Sequence, residues 1–235
     1  MKFKHFNEIT IADVNSDLHI HSSYTDGQDS IASIVKQAET MNLQTIAITD
    51  HIREDSTYFG KCLKEIEVIR TATKINILIG FEARIKNFCG DMDVPKDVCA
   101  KADLKIASVH RFSIGKKIFD PNSFSKEIAQ ELELEISLAG IRNKECNVLG
   151  HPGGMCLKYF KEFPMDYYED IILACNKHKI AFELNSAYHQ DIYPDLKNLL
   201  RRHNPLIAFG SDAHNISNIG KWSVLLKEEF INAKN

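Results

Sequence analysis

Seven short apolar runs recur along the chain, with helix-period segments between them, and each run ends in a residue able to ligate a cation or hydrogen-bond a ligand. The runs fall at about residues 15–20, 45–50, 75–82, 104–109, 146–150, 179–185 and 206–211. Their length and β-branched content mark them as strands. They deliver His19 and His21, Asp50 and His51, Glu82, His110, His151, Asn185 and Ser186, and Asp212. Residues 29–41 carry Ile31, Ile34, Val35 and Ala38 on one helical face behind Asp29 as N-cap, and residues 122–141 carry Ile128, Leu132, Ile136 and Ala139 at the same period. Further helices are expected at 61–73, 166–177, 194–203 and 217–231. Such alternation implies parallel strands joined by right-handed crossovers. An open sheet would concentrate polar residues at one switch point, whereas a closed barrel gathers every strand end around one mouth. The expected fold is therefore α/β, a TIM-like (β/α)7 barrel.

The 235 residues suit one barrel domain over 1–235, with 1–14 as an N-terminal extension, and no Pro/Gly/Ser-rich linker divides them. A net charge of -3 without a run of one sign gives no nucleic-acid or membrane surface. Met1 to Asp13 holds no apolar signal region and no segment approaches about 18 uninterrupted apolar residues, so a cytoplasmic protein without membrane association is expected. Cys62, Cys89, Cys99, Cys146, Cys156 and Cys175 are scattered without a Cys-x-x-Cys pair and read as buried free thiols.

In a strand, side chains two apart share a face, so His19 and His21 can reach one cation. The same spacing joins Asp212 to His214, and only the fold can bring the two pairs together. Glu82 and Asp212 follow apolar strands, where a bare carboxylate would carry a burial penalty unless a cation accompanied it.

The ordered set His19-x-His21, Thr49-Asp50-His51, Gly80-Phe81-Glu82, Ser108-Val109-His110, Gly150-His151-Pro152 and Gly210-Ser211-Asp212-Ala213-His214 resembles the polymerase and histidinol phosphatase (PHP) superfamily over about residues 15–214. The resemblance implies a distorted (β/α)7 barrel holding three divalent metal ions, zinc, manganese or iron, and hydrolysing phosphoesters. It implies that His19, His21 and Asp212 bind one metal, that Glu82 bridges it to a second completed by His110 and His151, and that Asp26, His51 and His214 hold a third. Some relatives carry a His near the position of Asp26, and an oxygen donor there favours manganese or iron. Glu82, Asp212 and His214 form the catalytic subset. Three carboxylates against the charge of three divalent ions leave a positive pocket suited to a phosphate dianion, and a hydroxide bridging two metals is the expected nucleophile.

Around this set, Asp17 and Asp50 are expected to orient imidazoles by accepting ring N–H groups. Arg84 and Arg111 are candidates for a phosphate clamp or for surface ion pairs. Asn185 and Ser186 either donate to substrate or close a strand-to-helix turn. His5, His178 and His203 read as surface residues, and His189 as a residue that could line the mouth. Gly153 and Gly154 permit a tight turn, and Leu225, Leu226 and Phe230 cover the barrel or meet a partner. The favoured function is hydrolysis of a small phosphomonoester, with histidinol phosphate one candidate. The rivals are a nuclease acting on nucleic-acid ends, which would need a basic track to the mouth, an amide-bond metallohydrolase, disfavoured by Glu82 in the bridging slot, and a non-catalytic metal-binding module, in which some ligands would have been lost.

Overall fold

The computed structural model describes residues 2–115 and 117–232, with side chains through Lys227. Seven parallel strands, β1 (Ser16–Ile20), β2 (Thr45–Ile48), β3 (Asn76–Arg84), β4 (Leu104–Ser108), β5 (Val148–Gly150), β6 (Ala181–Asn185) and β7 (Leu206–Gly210), lie side by side in chain order. Each coincides with one of the seven apolar runs. The helices between them are α1 (Ile31–Thr40), α2 (Phe59–Arg70), α3 (Lys96–Cys99), α4 (Lys126–Asn143), α5 (Gly154–Phe160), α6 (Met165–His178), α7 (Tyr193–His203) and α8 (Lys221–Asn232). The fold is a distorted (β/α)7 barrel.

The distortion sits at the seam between β1 and β7. A regular ladder is replaced there by one parallel bridge, Ile20 to Ala213, with His21 N–H donating to the Ala213 carbonyl at 2.9 Å. The Asp17 carboxylate accepts from the backbone N–H groups of Ser211 at 3.0 Å and Gly220 at 2.8 Å, which ties the two strands where the ladder is missing. The register of β1 against β2 also slips between Asp17 and Ile20. Such a bulge lets neighbouring residues turn to the same side. Leu18 packs into the barrel floor with Ala47, Leu104, Ile106, Val148, Ala181 and Ala208, while His19 still reaches the carboxylates above them.

The larger core lies between sheet and helices. Ile46, Ile48, Ile77, Ile79, Phe182 and Leu184 meet Ile31, Ile34, Val35, Ile66, Ile171 and Leu200 there, all buried. Burying a side chain of this size stabilises by about 1.5–3 kcal/mol. Two sequence expectations are corrected at this level. Ser30, not Asp29, caps α1 by accepting from Ser33 N–H, while Asp29 accepts from Ile216 N–H. In α4 the buried face is Ala129, Glu133, Ile136, Ala139 and Gly140, and Ile128 is exposed because the helix, capped by Ser125, begins at Lys126.

Elements too short to read in the sequence complete the rim. Lys4–His5 adds an antiparallel edge to β7, His51–Ile52 pairs with the end of β3, and Phe112–Ile114 folds against Lys117–Phe119 as a hairpin just beyond His110. Cys62, Cys146, Cys156 and Cys175 are buried, whereas Cys89 is exposed and Cys99 half-buried, so burial does not extend to all six thiols. In α8 Leu226 is buried and Leu225 exposed, and the Phe230 side chain lies outside the described residues. Among the described residues no helix is long and apolar enough to cross a membrane.

Candidate metal centre

Glu82 stands at the middle of the mouth, fully buried on β3, with His51 as its register partner on one side and Ile106 of β4 on the other. Its Oε1 lies 2.8 Å from His151 Nε2, 3.1 Å from His110 Nε2 and 3.5 Å from His19 Nε2. Its Oε2 faces the opposite way, 2.9 Å from His51 Nδ1 and 3.7 Å from His21 Nε2. One carboxylate thus addresses five imidazoles.

Two further carboxylates close the ring. Asp212 Oδ1 is 3.0 Å from His21 Nε2 and 3.7 Å from His19 Nε2. Asp26, whose side chain is 51% exposed, places Oδ2 3.2 Å from His214 Nε2 and 3.3 Å from His51 Nε2, and Oδ1 3.7 Å from His21 Nδ1. Three groups of donor atoms result, each within 4.8 Å: His19, His21, Glu82 and Asp212; His51, Glu82 and His110; and His21, Asp26, His51 and His214. His151 adjoins the second group through Glu82.

Backbone strain helps to aim these side chains. His151 (φ 27°) and Asp212 (φ 53°) occupy the left-handed region just past β5 and β7. A non-glycine residue there carries a penalty on the order of 1–3 kcal/mol, which persists only where the surroundings impose it. Gly153 adopts φ 73°, and a side chain at that position would collide with Phe163 and with Tyr168 Oη.

Carboxylates and imidazoles in the cluster shift one another's pKa values against the effect of burial. Burial opposes ionisation of Glu82, yet the neighbouring His110 and His19 hold its pKa well below the usual carboxylate range. Asp212 and Asp26 are depressed in the same way, against burial, by His21 and by His51 respectively. Burial alone would depress His51, but Asp26 and Glu82 lift it to about 10. His19 is raised well above its ordinary value by Glu183 and Glu82 despite burial, while burial wins at His21 and His110. Among the described residues, His19 Nε2 and His21 Nδ1 are buried without a hydrogen-bond partner, and Glu82 Oε2 has none besides the His51 ring next to it. Unpaired buried polar atoms are destabilising, and divalent cations would satisfy all three. An imidazole and carboxylate donor set suits zinc, manganese or iron, so the residues present fit such a cluster.

The remaining expected residues divide. Asp17 and Asp50 touch no imidazole nitrogen. Asp17 accepts backbone N–H groups at the seam, and Asp50 accepts from Ser22 N–H, Ser22 Oγ and Thr25 Oγ1, shaping the loop that carries Asp26. Arg84 donates to Ser113 Oγ at 2.9 Å and to Asp93 Oδ2 at 3.2 Å, joining two mouth loops. Arg111 pairs with Asp120 while 57% exposed. Asn185 Nδ2 and Ser186 Oγ are buried without partners, and Asn185 Oδ1 accepts from Ala187 N–H in the turn.

His189 does not line the mouth: it is fully buried, accepting from Asn185 N–H at Nδ1 and donating from Nε2 to the Pro152 carbonyl. His5 bonds the Asn204 carbonyl at the surface, His203 pairs with Glu169 and His178 is half-buried.

Two residues of the site have no role assigned from the sequence. Glu183, buried on β6, lies 2.7 Å from His19 Nδ1 through Oε1 and accepts from His151 N–H through Oε2. The signal for it was the one used for Glu82, a carboxylate inside an apolar strand. Tyr188 sets its ring 5.1 Å from that of His151 and its phenol against Asp212, where burial and the Asp212 and Glu82 charges push its pKa up.

The probable phosphatase of Caldicellulosiruptor bescii is 28% identical over 210 residues, covering 85% of this chain and 79% of that one. The probable phosphatase YcdX of Escherichia coli is 25% identical over 221 residues, covering 90% and 83%. The histidinol phosphate phosphatase of Lactococcus lactis, solved with zinc, L-histidinol and phosphate, shares the fold at a TM-score of 0.70 and 20% identity, covering 93% of both chains. The PHP domain model matches residues 17–208, from the first strand of the barrel into the last. With the match spanning most of the chain, including the ends of the first six strands, this chain belongs to the PHP domain family.

Proposed function

We propose that this chain is a metal-dependent phosphoesterase that hydrolyses a small phosphomonoester at a trinuclear centre. The observation that carries the reading is the position of Glu82, with its two oxygens directed at different sets of imidazoles and with unpaired buried donors around it. The first ion is assigned to His19, His21 and Asp212, with Glu82 shared; the second to Glu82, His110 and His151; the third to Asp26, His51 and His214. His51 also approaches Glu82, so it stands at the boundary of the second and third sites.

Divalent ions at these positions supply Lewis acidity for a phosphoryl oxygen and lower the pKa of a water toward about 7. The chain's own residues do the rest. Three carboxylates among nine donors leave the loaded pocket positive, which matches a phosphate dianion. Asn185 Nδ2 and Ser186 Oγ, buried and unpartnered, are donors for substrate oxygens. Arg111, which follows His110 in sequence and whose ion pair with Asp120 is half-exposed on both sides, is the arginine that can exchange its partner for a phosphate, whereas Arg84 is held by the mostly buried Asp93 and by Ser113. The net charge of -3 argues for a small substrate over a polynucleotide.

The test is phosphate release by manganese- or zinc-loaded protein from an aryl phosphate and a panel of phosphorylated metabolites that includes histidinol phosphate, run beside mononucleotide release from single-stranded oligonucleotides. Phosphate release from small monoesters supports the reading. Turnover of the oligonucleotide alone would replace it with a nuclease.

A further inference from the structure

We propose that Glu183 is a positioning residue that presets two ligands belonging to different metals, and that Gly210 is required to make room for it. The inference rests on the ligand roles given above to His19 and His151.

His19 is fully buried, and its two ring nitrogens have different surroundings. Nε2 faces Glu82 and Asp212 at 3.5 and 3.7 Å, too far for hydrogen bonds and open to a cation between them. Nδ1 lies 2.7 Å from Glu183 Oε1. A carboxylate on Nδ1 holds the proton there and keeps the Nε2 lone pair directed at the metal, and it raises the basicity of the ring as a ligand. The second oxygen of Glu183 accepts the N–H of His151 at 2.5 Å. His151 is the residue held at φ 27°, so this bond fastens a strained backbone at the point where Nε2 turns toward Glu82. One buried side chain on β6 therefore fixes a ring on β1 and a main chain at the end of β5. No lysine or arginine is paired with Glu183 among the described ion pairs, and its single ion-pair partner there is His19.

The neighbouring strand is shaped around this carboxylate. A Cβ at Gly210 of β7 would overlap Glu183 Oε1 and stand 2.7 Å from His19 Cβ. A methyl there could be accommodated only by moving the Glu183 carboxylate away from His19 Nδ1. Gly210 has an ordinary strand conformation, so close approach rather than backbone freedom accounts for the glycine.

Glu183→Gln keeps the shape but offers one acceptor oxygen where two are needed. Metal-free wild type and variant would be titrated with zinc against a chromogenic chelator, and melted with and without zinc. The expected result is zinc binding weakened by roughly 10–100-fold and a smaller zinc-induced rise in Tm, with the metal-free Tm close to wild type. Gly210→Ala, which leaves the carboxylate chemistry intact but displaces it, should weaken zinc binding in the same direction. If that variant fails to fold, Glu183→Gln decides alone. Unchanged zinc affinity in Glu183→Gln, or a lowered metal-free Tm with an unchanged zinc-induced rise, would overturn the proposal by making Glu183 a fold-stabilising residue. A wild type that binds zinc yet hydrolyses no phosphoester would defeat the phosphoesterase reading and leave this inference standing.

Discussion

His51 Nδ1 lies 2.9 Å from Glu82 Oε2, and the two residues are direct register partners on adjacent parallel strands. The relationship arises because β2 stops at Ile48, the chain turns through Thr49 and Asp50, and His51–Ile52 resumes pairing beside β3. Tyr58 supports the turn by donating its hydroxyl to the Asp50 and His51 carbonyls. An imidazole brought to the carboxylate by strand register is placed to within the rigidity of a sheet, and the rest of the centre is assembled around that pair.

The third site should be the separable one. Asp26 is 51% exposed, and His51 and His214 are 35% and 36% exposed, whereas His19, His21 and Glu82 are fully buried. Asp26→Ala should therefore lose one ion and most activity while its metal-free Tm stays close to wild type. Metal analysis after dialysis, with a thermal melt, checks this. A variant that retains all its metal would show that Asp26 only shapes the turn before Gly27.

Stability should fall as pH drops through the titration of His189. Burial holds its pKa at about 4, although the Pro152 carbonyl pulls the other way, and an unfolded histidine titrates near about 6.5. Between these values the unfolded chain binds a proton that the folded chain does not, so the contribution is complete above about pH 6.5 and is lost progressively toward pH 4. The loss is on the order of 3 kcal/mol at most. Urea unfolding of wild type and His189→Gln at pH 7 and pH 4.5 should show the gap between them narrowing at the lower pH. A constant gap would mean that His189 is not held neutral.

Arg84 should matter for the mouth loops rather than for phosphate. Removing its bonds to Asp93 and Ser113 in Arg84→Ala leaves a mostly buried carboxylate without its cation, which costs about 1–3 kcal/mol. Unfolding free energy should fall by that amount, and limited proteolysis should accelerate within 86–98 or 111–120. An unchanged stability with a large rise in KM would return Arg84 to the phosphate clamp.

The barrel was legible because all seven strands announce themselves by apolar runs and deliver their polar residues at one end, a pattern that an open sheet does not produce. The candidate cluster was legible for the same reason, since His19, His21, Glu82, His110 and Asp212 close apolar runs. What escaped depended on pairing across the barrel. Asp17 and Asp50 sit beside candidate ligands in sequence, but Asp17 turns to backbone N–H groups at the β1–β7 seam, and Asp50 to the Ser22 N–H and the Ser22 and Thr25 hydroxyls. The carboxylate that does stand on one of these imidazoles is Glu183, 2.7 Å from His19 Nδ1, on a strand whose partners are set only by the fold. The hairpin beyond His110 and the Arg84 link to it have no local signature, because three-residue strands are held by the loops they meet.

The proposed function requires Glu82 to be shared between ions held by separate sets of histidines. Metal content of purified wild type and Glu82→Ala, reconstituted with manganese or zinc and freed of excess ion, tests it most directly. The expectation is about three ions per chain in wild type, at most one in Glu82→Ala, held by Asp26, His51 and His214, and no phosphoesterase activity in the variant. Equal metal content in the two proteins, with activity retained, would rule out a shared Glu82.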